Sequence, residues 1–176
     1  MQPPLQGSAA GLVMGVLLGA GHGARFDASA QRHKLLEPYP PGQPGAAPLA
    51  VVAARKLRAA GPVLAVLRAP APEATARAAQ QRRLHEVLAD AGCRIVSYAY
   101  PGPSAGPGGA EGTGASIACA VRASADAAGW IVALADMPEI QPATIAAVRQ
   151  ALLDGALTVA PHYRGRRGHP VGFGAA

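Results

Sequence analysis

Aromatic side chains are scarce in this chain: two Phe, one Trp and four Tyr make up 4% of 176 residues. So thin a set does not supply the stacking platforms on which single-stranded nucleic acids are held. Cysteine is scarcer still, with only Cys93 and Cys119, and neither stands in a CxxC or other metal-ligand spacing. One disulfide between them stays open, but two scattered thiols suit a reducing cytoplasm better. Long hydrophobic runs are missing too. The apolar stretch Leu12 to Ala20 is too short to cross a bilayer, and no Lys or Arg precedes it as in a secretory signal. It reads as a buried strand, and no membrane partner is expected.

Acidic residues are the minority charge, with 10 Asp and Glu against 16 Lys and Arg, a net charge of +6 and a pI near 10.0. This balance favours anionic partners. The cations form no dense run, so phosphorylated small molecules fit better than nucleic acid. The length suits one compact domain with a sizeable core, much of it built from Ala.

Short apolar runs alternate with helical stretches. Strands are expected at Leu12–Gly19, Val63–Arg68, Arg94–Ala99, Trp130–Ala135 and Leu157–Ala160. Helices are expected from Pro48 to Ala60, Pro72 to Ala91, Gly114 to Ser124 and Pro142 to Leu153, the last opening on a Pro that suits a first helical turn. Apolar strands alternating with helices imply a three-layer α/β domain with a mostly parallel sheet. Residues 37–47 and 101–114 are too rich in Pro and Gly for a helix or central strand, and read as linkers or mobile active-site loops.

The first strand runs into GAGHGAR, residues 19 to 25. Glycines at 19, 21 and 23 allow a tight turn whose N–H groups converge on phosphate oxygens, and Arg25 and Lys34 add charge-assisted contacts. Gly19-x-Gly21-x-x-Ala24 also satisfies a dinucleotide-binding fingerprint. That reading needs an acid about 20 residues on, at the end of the second strand. Here the second strand comes much later and ends in Arg68. A purely structural Gly turn is the remaining alternative.

The segment VLLGAGHGARF…HKLL resembles the opening signature of the MobA-like nucleotidyltransferases. GTGASIACAV at 112–121, VALADMPEI at 132–140 and YRGRRGHPVGF at 163–173 agree in order and spacing, covering nearly the whole chain. Lys-Leu-Leu, Ala-Asp-Met-Pro and Gly-His-Pro-Val resemble most the molybdenum cofactor cytidylyltransferase branch. The guanylyltransferase branch usually has an acid before the Lys, where His33 stands here.

The resemblance implies a Rossmann-like fold of the nucleotide-diphospho-sugar transferase type, in a single domain over residues 1–176. It implies transfer of CMP from CTP, or GMP from GTP, onto molybdopterin with loss of pyrophosphate, and a molybdoenzyme or maturation partner downstream. Such chemistry needs positioning and charge neutralisation more than covalent catalysis. By resemblance, Gly19, Ala20, Gly21 and Gly23 cradle phosphates, Arg25 neutralises the leaving pyrophosphate, and Lys34 binds the triphosphate or the base side. Asp136 would hold Mg2+, which bridges to phosphates and keeps several waters; alternatively it is a turn-forming Asp before Pro138. Ser116 meets the nucleotide, or merely caps a helix. Arg166, Arg167 and His169, with Arg164, would face the anionic second substrate. A solvated hairpin, or a buried hydrogen-bonding His169, is the alternative there.

Four departures from the family pattern matter. His22 stands where Ser or Lys is common, and Phe26 replaces Met. Seven residues, DASAQRH, separate Phe26 from Lys34, a spacing closer to sugar-nucleotide transferases. The family usually continues past GFGAA with a helix and a late Asp-containing segment that supplies a second magnesium carboxylate, so that segment is expected to be missing. Another phosphorylated acceptor, or a nucleotide- or cofactor-binding homologue without turnover, are the competing expectations.

Overall fold

The computed structural model describes residues 11–21, 26–27, 31–98 and 112–175. In chain order the elements are β1 (Val13–Leu18), β2 (Pro38–Tyr39), β3 (Ala47–Pro48), α1 (Leu49–Leu57), β4 (Val63–Arg68), α2 (Ala76–Asp90), β5 (Arg94–Tyr98), α3 (Thr113–Ala123), β6 (Gly129–Leu134), α4 (Pro142–Leu153), β7 (Thr158–Val159), β8 (His162–Tyr163), β9 (Arg166–Arg167) and β10 (Val171–Gly174). Single 3-10 turns cover Lys34–Leu36 and Arg58–Ala60.

Among the described residues the main sheet has six strands in the order β5-β4-β1-β6-β10-β7. The first four are parallel, while β10 runs antiparallel to both of its neighbours. The strands read as continuous apolar runs because both faces are covered. Val13 and Leu17 of β1, Val63, Ala65 and Leu67 of β4, and Ile131 and Ala133 of β6 pack against α1, α2 and α4. Met14, Val16, Leu64, Val66, Trp130 and Val132 point the other way, toward Ala120 of α3. This alternation is the period of two that a pleated strand imposes. The result is a three-layer α/β/α domain with a mostly parallel sheet.

Three expectations need correction. The helix expected from Pro72 begins only at Ala76, because Thr75 caps it, its side chain accepting the Ala78 N–H at 3.2 Å. The strand expected at Leu157–Ala160 shrinks to two residues, with Leu157 exposed. No strand is expected after Ala160, yet β10 follows the basic segment, inserts between β6 and β7 and supplies the antiparallel pairing. The stretch 37–47 forms most of the small β2–β3 hairpin, ending at Pro48. Most of 101–114 lies outside the described residues.

One buried polar network locks α3 onto the sheet. Ser124 Oγ donates to the Ala120 carbonyl at 2.7 Å and accepts from Trp130 Nε1 at 2.9 Å. Ser124→Ala should cost about 1–3 kcal/mol, because the indole N–H loses its buried partner. Equilibrium denaturation checks this: the midpoint should fall with an unchanged slope.

Candidate functional site

The chain leaves β1, builds β4 and β5 to one side, and then crosses back to place β6 on the other side of β1. An open α/β sheet has its ligand crevice at such a switch point, beyond the carboxyl ends of the strands. Leu18 pairs with Leu134, and the Ala135 N–H donates to the Leu18 carbonyl at 3.0 Å. Gly19 and Asp136 therefore leave neighbouring strands side by side. At Gly19 a Cβ would stand 2.8 Å from Leu67 Cδ2 and 3.4 Å from Leu35 Cδ1, so a larger residue would have to push the buried Leu67 side chain aside.

A cleft of about 370 Å³ opens here. Gly19, Ala20, Gly21, Lys34, Ser116 and Asp136 line it, together with His33, Arg68, Tyr98, Gly112 and Thr113. Of the nominated residues, Gly23 and Arg25 lie outside the described residues. Arg166 and Arg167 form β9 of an exposed hairpin that does not line the cleft, and neither does His169. His169 Nδ1 is buried with no hydrogen-bond partner among the described residues, so the reading of a hydrogen-bonded core histidine does not hold at that atom. Ser116 is buried in the second turn of α3, while Gly112 is the N-cap with φ 107°. Capping does not account for Ser116.

Lys34 Nζ donates to Asp136 Oδ2 at 2.8 Å across 102 positions of sequence. Both side chains stay open to solvent, 43% and 39% exposed. The backbone that delivers Lys34 is pinned on both sides. Leu35 is buried in the core, and His33 caps the turn, its Nδ1 accepting the Leu35 N–H at 3.3 Å. Arg32 holds Glu37 through Nε at 3.0 Å, and the Tyr39 hydroxyl donates to Glu139 on the Asp136 loop. His33, Arg68, Tyr98 and Thr113 also line the cleft but were not nominated as site residues from the sequence. Arg68 carried a faint signal as a charged residue ending an apolar strand.

Asp136 is the acid among the described lining residues, set among the cations Lys34 and Arg68, with the His33 imidazole beside them. Such a cationic cleft suits a polyanion. Among the described residues no group of three or more His, Cys, Asp or Glu could enclose a metal by itself. An accessible carboxylate fits Mg2+ nonetheless, since that ion takes one or two carboxylates and completes its shell with phosphates and waters. Burial, and to a lesser degree Arg77, hold the His33 imidazole below its ordinary value.

The architecture is that of the nucleotide-diphospho-sugar transferases. Rv0371c from Mycobacterium tuberculosis H37Rv superposes with a TM-score of 0.66 at 21% identity, over 94% of this chain and 72% of that one. The same protein has also been solved with manganese (TM-score 0.62, 22% identity, 94% and 72% covered). A nucleotidyl transferase from Methanothermobacter thermautotrophicus superposes at 0.60 with 18% identity, over 93% and 71%. The synthetase of CMP-2-keto-3-deoxy-manno-octonic acid, complexed with CTP, does so at 0.54 with 15% identity, over 84% and 51%. No curated protein sequence matches the chain. The MobA-like NTP transferase domain model matches residues 15–176, and the chain belongs to that family of nucleotidyltransferases.

Two outcomes follow from the exposure of the pair and the burial of His33. Asp136→Asn should change folding stability by no more than about 1 kcal/mol, because a solvated ion pair contributes little; thermal melts check this. Below the ordinary histidine pKa the unfolded chain binds a proton at His33 that the folded chain resists, so this contribution to stability is present above that pKa and is lost as pH falls below it. Melting temperatures of wild type and His33→Asn across that range should diverge on the acid side.

Proposed function

We propose that the chain is a magnesium-dependent cytidylyltransferase that transfers CMP from CTP to molybdopterin. The observation that carries the reading is the Lys34–Asp136 pair at the switch-point cleft, a cation and a hard carboxylate beside a Gly-rich turn. An acceptor phosphate oxygen attacks the α-phosphorus, the bond to the β-phosphate oxygen breaks, and pyrophosphate leaves. Preorganised charge is the main catalytic resource for such a displacement.

In this reading Gly19, Ala20, Gly21 and Gly23 present backbone N–H groups to the phosphates. Lys34 binds the triphosphate and Arg25 neutralises the leaving pyrophosphate. Asp136 holds Mg2+, which when bound draws charge from the phosphates. Ser116, near the start of α3, faces the nucleotide. Arg166, Arg167 and His169 are assigned to the acceptor phosphate by the family resemblance rather than by the cleft. The manganese complex of Rv0371c and the CTP complex of the octonic acid synthetase support a divalent ion and a cytidine nucleotide in this fold. Cys93 and Cys119, both free thiols, and the absence of a membrane-crossing helix among the described residues are compatible with cytoplasmic work. A second reading, another phosphorylated acceptor, is favoured by the long Phe26–Lys34 spacing.

Pyrophosphate release with Mg2+, molybdopterin and each of CTP, GTP, ATP and UTP tests the proposal. Release is expected with CTP, and Arg25→Ala and Asp136→Ala should each lower kcat by about 100-fold or more. Full activity in either variant, or silence with CTP, would sink it.

A further inference from the structure

His33 occupies a wall shared by three cavities. It lines the main cleft with Lys34 and Asp136, a small gap with Gln81, Leu84 and His85, and a second chamber of about 390 Å³ with Thr75, Arg77 and Gln81. Its backbone is extended, with φ −123° and ψ 118°, and it caps the Lys34–Leu36 turn from both ends of the residue. The ring Nδ1 accepts the Leu35 N–H at 3.3 Å, and the carbonyl accepts the Leu36 N–H at 2.8 Å. A backbone amide can only donate, so Nδ1 carries no proton and the ring is the neutral Nε2–H tautomer.

The two residues after the cap have fixed and different destinations. Leu35 sits in the core, and the Lys34 ammonium reaches Asp136. Side chains on a 3-10 turn project roughly 120° apart, so a turn that unwinds while Leu35 stays buried swings Lys34 out of the cleft. We propose that His33 is a positioning residue for the transfer reaction: its neutral imidazole holds the Lys34–Leu36 turn so that the Lys34 ammonium meets Asp136 and the triphosphate. This role rests on the nucleotidyl-transfer reading of the same cleft.

Protonation of Nδ1 sets one N–H against another and removes the cap. It also adds charge near Arg77 of α2, whose guanidinium already disfavours the charged ring, while among the described residues Lys34, Arg68, Tyr98 and Asp136 share the main cleft with His33 and His85 shares the small gap. The acid limb of activity therefore belongs below the pH at which a solvated histidine titrates.

In the full chain, His33→Ala lowers kcat/KM for CTP about tenfold or more near pH 8, because a misplaced lysine costs transition-state contact. His33→Asn recovers activity to within about threefold, since an amide oxygen caps equally well and does not titrate. From about pH 8 to about pH 5 the wild type loses activity along a limb that His33→Asn lacks. An alanine variant as active as wild type, or an unchanged limb in the asparagine variant, overturns the proposal. A substrate-free measurement on the unmutated chain separates it from the reaction itself. By NMR, the Leu35 amide should titrate together with the His33 ring; independent behaviour of the two overturns the capping role whatever the enzyme turns over. Concerted titration beside a silent pyrophosphate assay faults the transfer reading and not the cap.

Discussion

The parallel pairing of β1 with β6 is the constraint on which the rest of the molecule depends. Leu18 lies opposite Leu134, and that register puts Gly19 and Asp136 beside each other although 117 positions separate them in the sequence. Slipping the pairing by one residue would turn Val13 and Leu17 from one helical layer to the other and exchange the two packed faces. Register is therefore enforced by burial on both sides. Burial of β1 and β6 on both faces thereby sets the geometry of a site that is itself open to solvent.

The division of labour between core and cleft explains why the charged pair stays outside the stability ledger. Leu17, Leu64, Leu67 and Ile131 are fully buried and carry the fold. Lys34 and Asp136 stand just beyond the strand ends, where solvent remains and the fold does not have to desolvate either charge fully. Their separation from the core is bridged by short anchors. Leu35 is sunk into the apolar cluster, and Tyr39 meets Glu139, so the segment bearing Lys34 and the loop after β6 are tied to each other.

Much of the architecture was legible from one dimension. Continuous apolar runs at Val63–Arg68 and Trp130–Ala135 could be read as central strands because both their faces are buried, so periodicity and length carry the whole signal. Residues 171–174 could not, because Val-Gly-Phe-Gly has the composition of a turn and becomes a strand only where β6 and β7 offer free edges. The start of α2 was misjudged for a similar reason: a run of Pro and Ala hides Thr75, whose role as a cap depends on where the loop after β4 leaves the sheet.

The sequence by itself determined the alternation of strands and helices, the sign of the charge offered to a ligand, and the residue types that bear chemistry: glycines in a tight turn, a lysine, and an aspartate after an apolar strand. These follow from composition and local spacing, which are properties of neighbouring residues. Only the tertiary structure decided that Lys34 reaches Asp136, that Ser116 faces the cleft rather than capping α3, that His33 seals the turn beneath the lysine, and that the Arg166–Arg167 hairpin stands away from it. The His33 cap and the hairpin are local, but Lys34 and Asp136 stand 102 positions apart, and what brings them together is the crossing of β6 to the far side of β1, a choice of topology that no local segment encodes.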